Sequence, residues 1–407
     1  MMKLTVFLKR LIEILIISLI VNSCNYWGEN NDQLISFKLT KLTKTRVVNL
    51  SDIGFFDIEY IPLETHENSV ISGIDYLFFN DYNINKIIVE DSSYIIKNGN
   101  SVLRFYYDGS FVTKIGSVGR GPDEFTQVGD IDYDKIDKEI CILSGWQKKL
   151  CYYSESGEHI RTTSIPFYCF EFRFIEGRVL CYCGNNSGKN LNSYVLIGKD
   201  GQIINEFPNK YFFDQKSGYG FAHENLFYRF NNGLFIKEVY SDTIYSFENM
   251  QFNPHVVIQA GDKLITPKAR SEYDMQTICA SYIQPLNLLE FGDYVYYAFI
   301  YKYVLPDDVL IYGFIGSKKN DLRVLFNLGQ GITNDLDGGP GIIPLTIKDD
   351  NTIISMVDAL TLKNHIASEE FKNSTPKYPE KKKELGKLAN SLKETDNPVL
   401  VLVRLRE

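Results

Sequence analysis

The chain has 407 residues, of which 44% are hydrophobic and 14% aromatic, so it can bury a large core and is not a disordered protein. Its 27 Tyr and 27 Phe favour strands, because aromatic side chains pack well on pleated surfaces. The net charge of −8 argues against nonspecific nucleic-acid binding, which needs a basic surface, and provides no attraction to anionic lipids.

The N-terminus has the features of a secretory signal peptide. Lys3, Lys9 and Arg10 precede an apolar run at residues 11–21, which is too short to span a bilayer as a helix. Residues 1–23 are therefore predicted to be a signal peptide. A signal anchor or a buried helix is the alternative interpretation.

The predicted signal ends at a cysteine. Val21-Asn22-Ser23-Cys24 resembles a bacterial lipobox, in which the cysteine thiol receives a diacylglycerol. The resemblance implies lipid attachment at Cys24, and more than one acyl chain gives stable membrane binding. An ordinary free thiol is the alternative. Residues 24–33 are polar and are predicted to be a tether, which leaves residues 34–407 for the folded domain.

From residue 34 onwards, short apolar runs alternate with turns. The turns at residues 107–109, 155–157 and 199–201 each connect two strand-like runs, and their glycines are 48 and 44 residues apart. This period is typical of a propeller blade of four short strands. The period is less clear in the second half, although residues 235–239 and 243–247 still favour strands joined by a turn.

Two stretches favour helices. Residues 263–278 are weakly amphipathic, and in residues 379–394 apolar side chains recur at i, i+3, i+4 and i+7 from Leu385. Residues 399–405 then read as a final strand. We expect the second helix to pack outside the blades, and the final strand to pair with strands from the N-terminal region and join the ends of the ring.

A glycine-rich loop carries the most specific motif. Residues 115–125 read Ile-Gly-Ser-Val-Gly-Arg-Gly-Pro-Asp-Glu-Phe and, with residues 129–133, resemble an NHL-type repeat, which has a G-x-G-P-x-E-F loop followed by a strand. With the strings at residues 240–245 and 394–400, the chain resembles the six-bladed β-propeller lipoproteins of Gram-negative bacteria. This resemblance implies an all-β fold, namely a six-bladed β-propeller of four-stranded antiparallel blades. The helix at residues 379–394 adds a short helix near the C-terminus.

The remaining cysteines are expected to be structural. Cys181-Tyr182-Cys183 lies in a strand-like run, so both thiols would point to one face and pack as small core residues. Cys141 and Cys151 flank a predicted hairpin centred near Trp146. A symmetric register would place them opposite each other and permit a disulfide in an exported protein, whereas a slip of one residue would separate them.

No metal or cofactor is predicted from residue spacing. The histidines are scattered and lack a metal-binding pattern, although ligands gathered from different blades are an alternative; they are His66, His159, His223, His255 and His365. Asp335 and Asp337 lie in a glycine-rich stretch that lacks the EF-hand pattern, so a mobile loop is favoured over a calcium site.

Arg120, Asp123 and Glu124 are the candidate residues for a ligand-binding face, and the alternative is that they solvate a loop between blades. The predicted function is a ligand-binding or scaffolding propeller of the cell envelope, with a glycan, a peptide or an envelope protein as partner and the membrane reached through Cys24. The alternative is a hydrolase or lyase with an axial metal or a pair of carboxylates. The expected location is the outer membrane, on its periplasmic or surface face.

Overall fold

Six antiparallel sheets are arranged in a ring. The computed structural model describes residues 34–41, 44–71, 86–215, 220–221, 223–304 and 308–406. Five sheets have four strands, and the fourth along the chain has a fifth strand at its outer edge. The fold is therefore a six-bladed β-propeller, as the sequence predicts.

The strands are numbered along the chain, and each blade is given from its innermost strand outwards. The first three blades consist of β3 (Lys86–Val89), β4 (Ser93–Asn98), β5 (Ser101–Tyr106) and β6 (Phe111–Lys114); β7 (Asp130–Asp134), β8 (Glu139–Ser144), β9 (Lys149–Tyr153) and β10 (His159–Ser164); and β11 (Glu171–Ile175), β12 (Arg178–Tyr182), β13 (Asn192–Ile197) and β14 (Ile203–Pro208). The last three consist of β15 (Asn225–Phe230), β16 (Gly233–Glu238), β17 (Thr243–Glu248), β18 (Gln251–Gln259) and β1 (Ile35–Lys38); β19 (Gln284–Phe291), β20 (Tyr294–Val304), β21 (Asp308–Ser317) and β22 (Arg323–Asn327); and β23 (Thr346–Asp349), β24 (Thr352–Val357), β25 (Val399–Leu405) and β2 (Phe55–Pro62).

The ring is closed by strands from both ends of the chain. β25 pairs with β24 on one side and with the N-terminal strand β2 on the other, in a register that places Ile58 opposite Val403. The inner strand of this sixth blade contacts the inner strands of the fifth and the first blades. The prediction that the final strand joins the ends of the ring is therefore confirmed.

The repeated glycine turns are the hairpins between the third and fourth strands of the first three blades. Gly109, Gly157 and Gly201 have φ values of +87°, +86° and +84°, a region that favours glycine. A Cβ at these positions would lie 2.1 to 2.8 Å from a carbonyl oxygen of the preceding blade. The fourth blade uses Asn249 and Met250 at positive φ in its equivalent hairpin, which explains why the sequence period fades there.

Helices occur in the connections between strands. They are Leu50–Ile53, Pro267–Glu272, Met275–Ser281, Ala359–Ala367, Glu369–Asn373 and Pro379–Ser391, with 3-10 turns at Leu39–Lys41, Gly145–Gln147 and Gly261–Lys263.

The helix predicted at residues 379–394 is confirmed, but two further helices precede it in the same connection. The stretch at residues 263–278 forms two short helices, because Tyr273 is extended and Asp274 caps a new helix by accepting from the Thr277 N–H at 2.8 Å. No helix among the described residues is both long enough and apolar enough to cross a membrane.

The core lies between neighbouring blades. Between the second and third blades, apolar side chains of both sheets form one buried cluster, which includes Cys141, Cys169, Cys181 and Cys183. These thiols therefore pack as small core residues, as predicted for the Cys181–Cys183 pair.

The disulfide considered for Cys141 and Cys151 is not formed. The register of β8 and β9 places Cys141 opposite Tyr152 and Cys151 opposite Ile142, because the hairpin loop has four residues instead of an odd number. The two thiols consequently pack in different clusters, Cys141 against the third blade and Cys151 against the first. All six cysteines in the described part of the chain are free.

Candidate functional site

The inner strands surround a central cavity of about 1300 Å³, with lining residues from all six blades. This volume exceeds the roughly 300–1,000 Å³ of most small-molecule sites. In a propeller, loops from every blade converge around such a cavity, which makes it the first candidate for a ligand site.

One side of the cavity wall carries a charged network, which we define as Lys86, Asp130, Asp132, Arg173 and Arg229. Asp130 accepts from the Lys86 ammonium at 2.7 Å through Oδ1 and from the Arg173 guanidinium at 2.7 Å through Oδ2. Asp132 accepts from the Arg229 guanidinium at 3.0 Å. These contacts connect the inner strands of the first four blades, and each charge has a partner of opposite sign.

The two aspartates also bind the backbone of the neighbouring blade. Asp130 and Asp132 are two residues apart on β7, so they point to the same face of the strand. Asp130 accepts from the Phe172 N–H at 3.1 Å, and Asp132 accepts from the Phe174 N–H at 2.7 Å. The Asp-Ile-Asp sequence therefore joins β7 to β11 through side chains, which gives the network a structural role.

Two carboxyl groups in this cavity have opposite pKa shifts. Burial tends to raise the pKa of Asp130, but Lys86 and Arg173 outweigh burial and hold it at about 2. Burial raises the pKa of Glu171 to about 7, although Arg173 opposes the rise. Glu171 is therefore a carboxyl group of the cavity whose protonation changes near neutral pH, and burial also raises the pKa of Glu224 in the same cavity.

The opposite side of the cavity wall is mainly apolar. The fifth and sixth blades contribute Leu286, Leu289 and Ile347, and the connection between them contributes Ile343 and Leu345. This side is richer in apolar side chains than the first, although Lys348, Asp349 and Asp350 of the sixth blade also line the cavity.

Three large aromatic side chains are exposed where the second and third blades border the cavity. Trp146, Tyr168 and Phe170, which we call the aromatic rim, are 67%, 51% and 45% exposed and all line the cavity. Clustered exposed apolar side chains are uncommon on monomeric proteins and mark interaction sites.

The rim is held by specific contacts. Trp146 and Tyr168 pack edge to face with ring centroids 6.2 Å apart, and the Lys148 ammonium lies 4.1 Å from the centroid of Tyr168. Phe170 covers Gly184, where a Cβ would approach the ring to 2.7 Å. The rim is therefore a defined surface of the fold.

Small polar side chains line the same cavity as the rim, namely Asn186, Ser187 and Asn190. Asn190 donates from Nδ2 to the carbonyl oxygens of Cys183 at 2.9 Å and Gly184 at 2.6 Å, which fixes the loop beneath Phe170. The site thus combines the aromatic rings of the rim and the Lys148 ammonium with neutral hydrogen-bonding groups of the cavity.

The candidate residues Arg120, Asp123 and Glu124 lie in the connection between the first and second blades, and none of them lines the cavity. Glu124 turns back to accept from the Gly121 N–H at 2.7 Å, and a Cβ on Gly119 would lie 1.8 Å from its carboxylate. This turn explains the glycines and the glutamate of the motif. Arg120 and Asp123 are exposed, and a role for these three residues in ligand binding stays a prediction.

Among the residues that the structure describes, one acidic group has a geometry that a metal ion could use, namely Asp134, Asp137 and Glu139. Lys199 contacts both aspartates, and Arg161 donates to Glu139 at 2.6 Å. The group is thus neutralised by side chains of the protein.

Asp335 and Asp337 do not act as a pair. Asp337 is fully buried and accepts from Asn334 Nδ2 at 2.6 Å, whereas Asp335 accepts from the Ser51 N–H at 3.1 Å. Leu336 between them is also buried, so this part of the loop is packed against the fold, which argues against the expectation of a mobile loop.

The histidines do not converge. His223 lines the cavity, and burial lowers its pKa to about 4. His255 contacts Glu290 at 2.7 Å, His365 contacts the Gly338 carbonyl oxygen at 2.8 Å, and His66 and His159 are exposed.

Comparisons with known proteins agree with this fold. Residues 34–404 match the family "Domain of unknown function (DUF4934)". A solved protein from Bacteroides fragilis, described as a "putative exported protein", is similar with 17% identity and a TM-score of 0.64, over 92% of this chain and 99% of that chain. A member of the DUF4221 family from Bacteroides vulgatus is similar with 10% identity and a TM-score of 0.51, over 86% of this chain and 97% of that chain. No curated protein matches the chain.

Proposed function

The chain belongs to the DUF4934 family, and from this premise we propose that it is an exported, lipid-anchored propeller that binds a ligand at the mouth of its central cavity. The observation that carries the proposal is the aromatic rim, where Trp146, Tyr168 and Phe170 are exposed together beside a large cavity. Removing apolar surface from water stabilises a complex by about 25 cal/mol per Å². A ligand that covers the rim therefore gains this contribution to its free energy of binding.

The charges of the cavity are a poorer basis for ligand recognition. Asp130, Arg173 and Lys86 already satisfy one another, and a charged ligand would have to compete with these contacts. At the rim, a ligand that covers Tyr168 would compete with the Lys148 ammonium 4.1 Å from the ring centroid, whereas Trp146 is 67% exposed. Recognition therefore falls to the exposed rings and the neutral polar groups beside them.

Export and anchoring rest on the N-terminal sequence, since Cys24 lies outside the described residues. The basic start, the short apolar run and the cysteine at its end support a lipid-anchored protein. The description of the Bacteroides fragilis relative supports export.

The anchor is tested by fractionating cells that produce the wild type or the Cys24→Ser variant, followed by intact-mass measurement. We expect the wild type in the membrane fraction with the mass of its acyl chains, and the variant without that mass. Equal masses for the two proteins, apart from the substitution, would exclude a lipid on Cys24.

Ligand binding is tested by a thermal-shift screen of the purified full chain against oligosaccharides and peptides. A ligand at 100 times its Kd adds about 2.7 kcal/mol to the free energy of unfolding, which shifts the melting temperature clearly. We expect the shift to disappear in a Trp146→Ala, Tyr168→Ala double variant. A ligand that stabilises this variant as much as the wild type would contradict binding at the rim.

A second candidate function is acid–base catalysis on the bound ligand, as in a hydrolase or lyase that uses carboxyl groups. The observation that favours it is the pair Glu171 and Asp130, whose pKa values of about 7 and about 2 lie far apart in one cavity. We expect Glu171→Gln to abolish turnover of the bound ligand while its Kd stays within about threefold. A ligand that binds the wild type and is recovered unchanged would leave the protein a binding module.

A further inference from the structure

We propose that the ligand of the aromatic rim is an oligosaccharide, whose sugar rings stack on Trp146 and Tyr168 while its hydroxyl groups face the polar side chains of the cavity. This inference rests on the proposed function and specifies the ligand of the same site.

The first argument is the shape of the rim. A sugar ring has apolar C–H faces and a hydroxyl-bearing edge, so it matches a flat aromatic ring beside hydrogen-bonding groups. Trp146 and Tyr168 have centroids 6.2 Å apart and ring planes at 69° to each other. They therefore offer two adjacent platforms that are turned relative to each other, which suits consecutive units of a chain better than one planar ligand.

The second argument is the chemistry next to the rings. Asn186 and Ser187 are neutral and exposed, and their amide and hydroxyl groups can both donate and accept hydrogen bonds, whereas the Asn190 amide nitrogen already donates to two backbone carbonyl oxygens. This dual capacity matches sugar hydroxyls, which also donate and accept. Glu171 lies directly after Phe170 in the chain and lines the same cavity, so it extends the polar surface inwards from the rim.

The third argument is the poorer fit of two other ligand classes to the charged network. An apolar ligand such as a lipid chain would remove water from Arg229, whose side chain is 39% exposed although it is paired with Asp132. An anionic ligand would find Lys86 and Arg173 already bound to Asp130. A neutral ligand rich in hydroxyl groups meets neither obstacle.

The fourth argument is size. The cavity of about 1300 Å³ is larger than most small-molecule sites, and the aromatic rim lies along its border. A single sugar would cover one ring and leave the rest exposed. An oligosaccharide covers both platforms of the rim and still extends into the cavity.

The experiment uses a fluorophore that the sequence provides. The chain has only two tryptophans, Trp27 and Trp146, so Trp27→Phe in the full chain leaves Trp146 as the single tryptophan. This variant, purified in detergent, is titrated with hexasaccharides of maltose, cellulose, xylan and chitin type and, separately, with a casein digest as mixed peptides. The melting temperature is recorded for the same samples.

We expect at least one hexasaccharide to change the emission of Trp146 saturably and to raise the melting temperature. Adding Tyr168→Ala should weaken this binding at least tenfold. The matched control is Tyr106→Ala, since Tyr106 is 47% exposed but does not line the cavity, and it should leave the Kd within twofold. The melting temperatures of both variants without ligand should stay close to that of the parent.

The contrary outcomes separate the inference from the proposed function. If peptides change the emission and no hexasaccharide does, the carbohydrate inference is overturned and the proposed binding site stands. If neither class changes the emission nor the melting temperature, both are overturned. If a hexasaccharide binds equally well to the Tyr168→Ala variant, the rim is not the sugar site.

Discussion

The interior of the central cavity and its rim use their side chains in opposite ways. Inside, Asp130 and Arg173 have side chains only 8% and 10% exposed and are paired with each other. At the rim, Trp146 is 67% exposed. The charged network thus connects the blades of the ring, whereas the exposed side chains of the aromatic rim are accessible to a ligand.

The difference has an energetic basis. Removing one partner of a buried ion pair leaves the other charge without compensation, so the network is expected to contribute strongly to stability. An exposed ring loses little when it is removed, because water already surrounds much of it. Mutations in the two regions should therefore have different effects. Those in the charged network should lower stability, and those in the aromatic rim should weaken ligand binding.

The largest expected effect is on folding. Asp130→Ala removes the partner of Lys86 and Arg173 and the acceptor of the Phe172 N–H, so we expect the free energy of unfolding to fall by roughly 3–5 kcal/mol. Denaturant titration measures it. The control is Asp137→Ala, because Asp137 is 49% exposed and its pairing with Lys199 is screened by water, so it should contribute much less than the buried pairs of Asp130. Similar losses for both variants would remove the distinction between interior and surface charges.

The second-largest effect is expected on ligand binding at the aromatic rim. Trp146→Ala should leave the free energy of unfolding within about 0.5 kcal/mol of the wild type, as is usual for exposed positions. The same variant should weaken binding of a ligand found in the thermal-shift screen at least tenfold, which corresponds to about 1.4 kcal/mol. Denaturant titration and a ligand titration on one protein batch give both numbers. A loss of stability as large as that of Asp130→Ala would assign Trp146 to the core.

Much of the fold is predictable from the sequence because the turns are local. Gly109, Gly157 and Gly201 are required by hairpins that place backbone against the preceding blade, so they repeat once per blade. The fourth blade makes its hairpin with Asn249 and Met250, which leave no such signal. The closure of the ring follows from strand pairing between the two ends of the chain, and only the short final strand indicates it.

The site is less predictable, because it is assembled from residues that are distant in sequence. The motif with Arg120, Asp123 and Glu124 attracts attention, but its glycines serve a turn that Glu124 completes. Trp146 is visible in the sequence only as an apolar residue in a hairpin turn, and Tyr168 precedes a strand of the next blade. Nothing in their spacing shows that the two rings are neighbours. The sequence left the pairing of Cys141 and Cys151 open for a related reason, since one residue in a loop decides which face a cysteine occupies.

A pH titration sharpens the comparison within the cavity. The pKa of Glu171 is raised to about 7 in the folded protein, so the folded state binds this proton more tightly than the unfolded state does. Its contribution is present at acidic pH and is lost as the pH rises from about 5 to about 7. We expect Glu171→Gln to reduce the decline in the free energy of unfolding over this interval by about 2 kcal/mol, measured by denaturant titration.

Burial also raises the pKa of Glu238 to about 7, so part of the decline should remain until Glu238→Gln is added. The contribution of Asp130 to the free energy of unfolding depends on pH in the opposite direction. Because its pKa is about 2 in the folded protein, this contribution is lost only as the pH falls through the acidic range. A decline that is identical in the wild type and in Glu171→Gln would show that folding does not raise the pKa of this carboxyl group.

The smallest effects are expected in the glycine-rich loop, which lies at neither the interior nor the rim of the cavity. Glu124→Ala should lower the free energy of unfolding by about 1 kcal/mol, because the Gly121 N–H loses its acceptor. Arg120→Ala should change it by less than about 0.5 kcal/mol, since Arg120 is exposed. Ligand titration of both variants then tests the prediction made from the motif. If Arg120→Ala weakens binding tenfold while stability is unchanged, the ligand-binding surface extends from the rim to this loop; an unchanged Kd in both variants confines the surface to the cavity and makes the motif a purely structural turn between blades.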